Sequence, residues 1–230
     1  QQLLHDPRTM ASVLLVPTIL LTILKYVFQQ DKQLFDGLAP MTLGIFPLIM
    51  MFIVTSIATL RERTIGTFER LMTYPMSKLD LIFGYALAFS LLALLQAAIA
   101  STVVTGLLGV NVAGGTLPLL LGVVVAALLG TSLGLFMSAF ATSEFQAVQF
   151  MPAFLFPQLL TCGLFVAREH MVKLLQWFAD VMPLTYSVDA MKQITTKTAW
   201  SGTLSKDLLI VIGYAVVALI LGSITIRRQE

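Results

Sequence analysis

The stretch of this sequence best suited to recognition chemistry is Leu60–Tyr85, which reads LRERTIGTFERLMTYPMSKLDLIFGY. It begins with a charged triplet, RER at 61–63. Gly66 favours a break in a helix, and Pro75 favours a helix end just before it. Because threonine is a good N-cap residue, we predict a separate short helix over Thr67–Thr73.

The predicted short helix is amphipathic. Phe68, Leu71 and Met72 share one face through their i, i+3 and i+4 spacing, while Glu69 and Arg70 point elsewhere. An apolar helix face of this kind either lies on lipid or inserts into a groove of a partner protein. The candidate docking residues of the whole stretch are Arg61, Glu62, Arg63, Gly66, Thr67, Phe68, Glu69, Arg70, Leu71 and Pro75.

Patterns for catalysis and metal binding do not occur in the sequence. His5 and His170 lie far apart and have no cysteine or carboxylate at ligand spacing, and Cys162 is a single thiol. The phosphate-binding pattern G-x-x-x-x-G-K-[ST] is also missing. We therefore predict that the chain is not an enzyme by itself and holds no metal or cofactor.

Composition identifies the solvent for which these residues are suited. Of 230 residues, 57% are apolar and 11% are charged, against roughly 45–50% and 25% in soluble domains. The net charge of +2, without a long basic run, argues against nucleic acid as a partner. The lipid bilayer is the environment that accommodates so much apolar surface.

Six apolar runs are long enough to span a bilayer as helices, which takes roughly 20 residues each. We predict one all-α membrane domain over residues 1–230, with spans at about 10–28, 38–60, 79–108, 117–140, 147–166 and 208–226. The runs are continuous, whereas the strands of a β-barrel alternate in polarity. The only other helices expected are the short one at 67–73 and amphipathic or re-entrant helices in the long loop between spans 5 and 6.

Prolines interrupt three of the spans, and each removes a helix hydrogen bond that lipid cannot replace. These helices should kink and lean on their neighbours, either as ordinary bends of a packed bundle or as gate hinges. The prolines concerned are Pro17, Pro40, Pro47, Pro152 and Pro157.

No ionisable residue lies clearly at the centre of spans 2 to 6, and Lys25 lies near the edge of span 1, which argues against an ion-driven carrier or channel. The other polar residues considered within the spans are neutral. Most such residues hydrogen-bond neighbouring helices. Gln96, Gln149 and Gln158 are the best candidates for a substrate path because a buried amide is costly in lipid. Gly130 and Gly134 form a G-x-x-x-G pair, which we interpret first as packing within the chain and second as a dimer face.

Orientation follows from the basic residues near the span ends. With both termini in the cytoplasm, seven basic residues lie inside and seven outside, so the count alone is neutral. The inside set is denser, which favours this orientation: Arg8, Arg61, Arg63, Arg70, Lys78, Arg227 and Arg228. The outside set is Lys25, Lys32, Arg168, Lys173, Lys192, Lys197 and Lys206, several with acidic neighbours.

The long outer loop, about 167–207, contains apolar residues at helical spacing in Met171–Ala179, a more polar part from Met191 to Trp200, and Pro183 between them. An amphipathic segment with Trp177 near its edge suits the membrane interface. It either lies flat on the bilayer as an anchor or dips in and returns, and a lid over an exit path is a further hypothesis.

The stretch at 60–85 resembles the loop between spans 2 and 3 of ABC-2-type permeases, the membrane subunits of ATP-binding-cassette exporters, in particular the daunorubicin-resistance-like branch. That loop reads roughly E-R-E-x-G-T-x-E-x-L-x-x-T-P. The matching residues here are Arg61, Glu62, Arg63, Gly66, Thr67, Glu69, Leu71 and Pro75. The chain departs at Tyr74, where the family commonly has Thr, and by one extra residue between Arg63 and Gly66. Segments such as His5–Arg8 and Met182–Tyr186 extend the resemblance over nearly the whole chain.

The resemblance implies an exporter permease that pairs with a second copy or a similar permease. Each copy would dock one cytoplasmic ATPase subunit through a coupling helix at Thr67–Thr73, so that ATP and Mg²⁺ bind on the two ATPase chains. Closure of the ATPases would move spans 1, 2 and 5 against the partner permease. An amphipathic drug- or lipid-like substrate would leave the cytoplasm or inner leaflet of a bacterial plasma membrane.

Two alternatives differ in substrate or class. A polysaccharide or lipid-linked glycan permease is favoured if aromatic residues line a wide channel, for which the candidates are Phe46, Phe52, Phe136, Phe150, Phe154 and Phe156. A membrane-embedded enzyme or an assembly factor is the other alternative. An enzyme would need clustered carboxylates, histidine or a nucleophile at membrane depth, and an assembly factor leaves the stretch at 60–85 unexplained.

Overall fold

The computed structural model describes residues 7–64 and 78–225, and regular structure in these residues is helical. Five long helices and one of 18 residues form a bundle, and three short helical segments lie between the last two. The helices are α1 Pro7–Val27, α2 Lys32–Thr64, α3 Lys78–Thr102, α4 Thr116–Ser138, α5 Glu144–Thr161, α6 Lys173–Val181, α7 Pro183–Thr196 and α8 Gly202–Thr225. A π-helical turn, Val103–Leu107, continues α3, and a 3₁₀ turn, Arg168–His170, precedes α6.

Among residues 7–64 and 78–225, five helices are long and apolar enough to cross a membrane, and they correspond to the predicted spans 1, 2, 3, 4 and 6. Their apolar segments are Met10–Val27, Lys32–Thr64, Phe83–Leu107, Thr116–Ser138 and Gly202–Thr225. Two helices extend by four residues or more beyond the predicted spans of 38–60 and 208–226: α2 at both ends, and α8 at its start. The extensions are polar, and a helix continues there because water can solvate the side chains while the backbone stays hydrogen-bonded internally.

The helix at the predicted fifth span, α5, differs from its prediction of 147–166. It begins at Glu144 and ends at Thr161, and it is not among the five apolar segments found in the described residues. The early end has a local cause, because Gly163 adopts a φ of +90°, a left-handed conformation that terminates helices. Its 18 residues give a length of about 27 Å, close to the roughly 30 Å of a bilayer core.

The helices alternate in direction. One apolar cluster joins the first half of α1, the second half of α2, the start of α3 and the ends of α4 and α8: Val13, Val54, Ala86, Leu135 and Leu219. Another cluster joins the opposite parts of these helices: Leu21, Phe35, Leu108, Leu119 and Leu204. We call the end of the bundle that holds residues 61–63 the near end and the opposite end the far end. In the described residues, the start of α1 and the end of α8 both lie at the near end.

Helix α4 lies at the centre and makes its most extensive contact with α2. A Cβ atom added at Gly130 would lie 2.8 Å from the carbonyl carbon of Leu48 and closer to its oxygen, and one at Gly134 would lie 2.5 Å from the Phe52 oxygen. The two glycines therefore let the α2 and α4 backbones touch, as expected for packing within the chain.

The long outer loop forms two helices with different environments. Helix α6 is exposed, with Leu174 and Trp177 about three-quarters accessible. Helix α7 is buried between α2, α4 and α8, where Gly44 and Gly122 leave room for Met191. The predicted boundary at Pro183 is correct, but the second part is one helix from Pro183 to Thr196 rather than a polar segment from Met191 to Trp200.

Candidate functional site

The near end of α2 is joined to two other helices by its two arginines. Arg61 donates from Nε to Glu144 Oε1 at 2.6 Å and from an η nitrogen to Oε2 at 3.0 Å, which is a two-bond contact to the start of α5. Arg63 donates to the backbone oxygen of Ser138, the last residue of α4, at 2.5 Å. The ends of α2, α4 and α5 therefore meet immediately before residue 65.

Glu144 is held in position by the cap of its own helix. Ser143 is the N-cap residue of α5, and its hydroxyl accepts a hydrogen bond from the Gln146 amide at 3.2 Å. The side-chain oxygen of Gln146 accepts in turn from the Thr142 amide at 2.8 Å. The arrangement differs from a capping box by one residue, because the Gln146 side chain bonds the amide of Thr142 rather than that of the N-cap residue Ser143, and the two bonds together fix the first turn of the helix. The Glu144 carboxylate also lies at the positive end of the helix dipole.

The candidate docking residues divide into two sets. Arg61, Glu62 and Arg63 form the last turn of α2, at the surface of the near end. The remaining candidates lie outside the described residues: Gly66, Thr67, Phe68, Glu69, Arg70, Leu71 and Pro75. The short helix at 67–73 stays a prediction, and the described part of the site is the joint between α2, α4 and α5 that adjoins it.

The three glutamines considered for a substrate path occupy different environments. Gln96 is fully buried, and its Nε2 donates to the Val13 oxygen of α1 at 2.7 Å. Gln158 is buried at the end of α5, where its Nε2 donates to the Phe154 oxygen at 3.0 Å and its Oε1 accepts from the Leu184 amide at the start of α7. Gln149 is exposed on α5. The structure does not bring these three amides together.

The exposed face of α5 combines Gln149 with large apolar side chains. Phe145, Val148, Phe156 and Leu160 are all exposed, at 39–73% of their accessible surface. In hydrocarbon the Gln149 amide would lack hydrogen-bond partners. The four apolar side chains suit lipid, whereas the Gln149 amide needs a polar partner there.

At the far end, a cavity of about 340 Å³ is lined by charged and polar groups from the end of α5, the 3₁₀ turn, α6 and α7. Arg168 bridges two acidic residues in it, with a contact of 3.5 Å to Asp180 on α6 and a shorter hydrogen bond to Asp189 on α7. Burial raises the pKa of Asp189, and the Arg168 guanidinium partly opposes that shift. In the described part of the chain, no group of three or more His, Cys, Asp and Glu residues is placed to hold a metal ion.

Two of these contacts were missed by sequence reasoning. Glu144 is the only charge between the fourth and fifth spans. An alternating topology places that loop at the same end as Arg61, and this is the signal that could have identified the pair. Arg168 and the acidic residues of its loop were noted together, but their separations of 12 and 21 residues carry no periodic signal.

Comparison with known proteins agrees with this architecture. The family described as ABC-2 type transporter matches residues 1–195. ABC transporter G family member 20 of Dictyostelium discoideum is 26% identical over 167 residues, which cover 73% of this chain and 23% of that protein. The inner membrane transport permease YhhJ of Escherichia coli is 28% identical over 152 residues, covering 66% of this chain and 41% of the relative. The probable multidrug ABC transporter permease YbhR of Escherichia coli is 27% identical over 160 residues, covering 70% and 44%.

This multi-pass helical chain belongs to the ABC-2 type transporter family. Its relatives include permeases of ABC transporters, so the family resemblance drawn from the residues at 60–85 is confirmed. The chain spans less than half the length of the three relatives described above.

Proposed function

We propose that this chain is the permease of an ABC exporter that moves an amphipathic drug- or lipid-like substrate out of the cytoplasm or inner leaflet. A separate ATPase subunit binds ATP and Mg²⁺, and two such subunits serve two permease copies. The observation that carries this proposal is the joint at the near end, where Arg61 and Arg63 tie the end of α2 to α5 and α4.

The joint supports the proposal because of its position in the chain. The predicted coupling helix at Thr67–Thr73 begins a few residues after Arg63, so a displacement of that helix also displaces the end of α2. The two-bond contact of Arg61 with Glu144 passes the displacement to α5, and the bond from Arg63 passes it to α4. Three helices then respond to one docking event.

The exposed face of α5 supports a second permease copy and a substrate path. Gln149 and the apolar residues beside it are accessible in the single chain. A second copy across this face would remove the amide from lipid and leave a cleft with both polar and apolar walls. In this arrangement α5 crosses the membrane as the fifth of six spans, and its Glu144 end lies in the cytoplasmic interface.

The positions of the aromatic residues favour an amphipathic substrate over a glycan. Five of the six phenylalanines considered for a glycan channel pack in one core cluster: Phe46, Phe52, Phe136, Phe150 and Phe154. Phe156 is exposed on α5. A wide aromatic channel would need these rings at its wall, whereas the packed rings stabilise the bundle.

We further propose that both termini and the near end are cytoplasmic, in the plasma membrane of a bacterium. The dense charges at 61–63 lie at the near end, and α6 with its exposed Trp177 lies at the far end. Trp177 would then anchor α6 in the outer membrane interface.

The test is purification of the tagged chain from its host membrane in mild detergent, with identification of partners by mass spectrometry. We expect a P-loop ATPase in near-equal amount. Recovery of the chain alone, or with unrelated enzymes, would refute the assignment of a separate ATPase engine.

Two variants probe the docking residues. Glu69→Lys and Phe68→Asp should release the ATPase or stop transport while the helical bundle stays folded. Glu169→Lys makes the same charge change at the far end and should leave ATPase recovery unchanged. Equal recovery of the ATPase and equal transport in both docking variants and the wild type would contradict the coupling-helix assignment.

A further inference from the structure

Pro17 leaves one backbone carbonyl of α1 without its helical hydrogen-bond donor. In an α-helix the carbonyl of residue 13 accepts from the amide of residue 17, four positions on. Proline has no amide hydrogen, so the Val13 carbonyl loses its helical donor. Val13 is fully buried within the apolar bundle, where water does not reach this oxygen and an unpaired carbonyl costs free energy.

Gln96 of α3 supplies the missing donor. Its Nε2 lies 2.7 Å from the Val13 oxygen, and the side chain is fully buried. The orientation of the amide is fixed by its partner, since a carbonyl oxygen accepts only from the NH₂ group. The Oε1 atom of Gln96 is buried and has no hydrogen-bond partner among the described residues, so the donor half of the amide is the half in use.

Helix α1 depends on such contacts more than the other long helices. Only 17% of its apolar segment is buried, against 72% for α4. Hydrogen bonds from two described side chains connect α1 to α3 and its π-helical continuation: one from Gln96, and one from Lys25 Nζ to the Leu107 oxygen at 3.3 Å. The Gln96 bond is the buried one, and it acts at the position where Pro17 weakens the helix.

We propose that Gln96 is a positioning residue that fixes the proline break of α1 onto α3, so that the first half of α1 stays with α3 when the permease changes conformation. The role in conformational change rests on the proposed transport function. The hydrogen bond and its dependence on Pro17 do not, and they are tested separately.

The test is a double-mutant cycle on the full chain, unfolded in mixed detergent and followed by helical circular dichroism. Gln96→Met keeps the length of the side chain and removes the donor. We expect it to raise the unfolding equilibrium constant roughly 3- to 20-fold, the range for buried hydrogen bonds between membrane helices. In the Pro17→Ala background residue 17 has an amide hydrogen again, so Gln96→Met should change the constant by less than about 2-fold.

The cycle separates a hydrogen bond from simple packing. If Gln96 only fills space, Gln96→Met lowers the free energy of unfolding equally in the wild type and in the Pro17→Ala background, and that result would overturn the proposal. No loss of stability in either background would also overturn it. If Gln96→Met alone does not fold, recovery of folded protein in the Gln96→Met/Pro17→Ala variant supports the proposal, and failure of the double variant contradicts it. Gln33→Met, the same change at an exposed site near the start of α2, should leave the unfolding constant within about 2-fold.

Transport provides the second measurement. In proteoliposomes that contain the permease and its ATPase, Gln96→Met should slow transport at least threefold while ATPase binding stays unchanged. If the cost of Gln96→Met depends on Pro17 but transport is unchanged, the positioning role is refuted. If the wild-type chain binds no ATPase, the proposed function fails, and the stability cycle still decides whether Gln96 holds the break in α1.

Discussion

Gly130→Ala tests whether the contact between α2 and α4 is the centre of the fold. The new Cβ would lie 2.8 Å from the carbonyl carbon of Leu48 and closer still to its oxygen. The obstacle is backbone, so a rotamer change cannot relieve it. The two helices must separate by several tenths of an ångström to about 1 Å at their most extensive contact, which loosens the packing around it.

The expected cost is about 3 kcal/mol, at the upper end of the range for overpacked cores, because the neighbouring atoms belong to a helix backbone. This corresponds to a rise of more than a hundredfold in the unfolding equilibrium constant. Two other glycine-to-alanine substitutions introduce less steric overlap and serve as controls for the loss of stability. Gly222→Ala would place a Cβ at an ordinary 3.4 Å from Phe136, and Gly213→Ala would meet nothing within 4 Å. Gly213→Ala should be neutral or gain up to about 1 kcal/mol of helix propensity.

The assay is equilibrium unfolding in mixed detergent, followed by circular dichroism and by the fluorescence of Trp177 and Trp200. The order of stability should be Gly213→Ala, then Gly222→Ala, then Gly130→Ala. Equal stability of all three would refute the close-contact reasoning. A change in self-association with unchanged stability would instead place Gly130 on a dimer face.

Two further predictions concern ion pairs at the two ends of the bundle. Glu144→Gln should cost no more than about 1 kcal/mol of stability, because both Arg61 and Glu144 are half exposed. The same change should reduce the stimulation of the ATPase by the permease, and the exchange Arg61→Glu/Glu144→Arg should restore part of that stimulation. Unchanged stimulation in Glu144→Gln would contradict the role of the joint. Because burial raises the pKa of Asp189, the folded protein binds a proton there more readily than the unfolded chain, so stability relative to Asp189→Asn should rise as the pH falls from 7 through that raised pKa. Melting temperatures measured between pH 4 and 7 check the sign, and a difference that moves the other way would show that the Arg168 contact outweighs the burial.

The helices and their order followed from local patterns. Long uncharged apolar runs identified five of the spans, and Pro183 marked the division of the outer loop correctly. The end of α5 was harder to predict, because the apolar run continues past the point where Gly163 turns the backbone. The burial of α7 was also unexpected from its composition. It depends on Gly44 and Gly122, which lie on two other helices and leave space for Met191.

The sequence by itself determined the solvent, the class of fold and the candidate docking stretch, because hydrophobic length, helix breakers and caps act over a few neighbouring residues. Tertiary structure alone decided which polar groups meet. Arg61 and Glu144 are 83 positions apart, as are Gln96 and Val13. These pairs depend on which helices pack side by side and at what depth. Packing is set by close contacts such as that of Gly130 with Leu48; the G-x-x-x-G pattern indicates a close contact at Gly130 but does not specify which helix it meets.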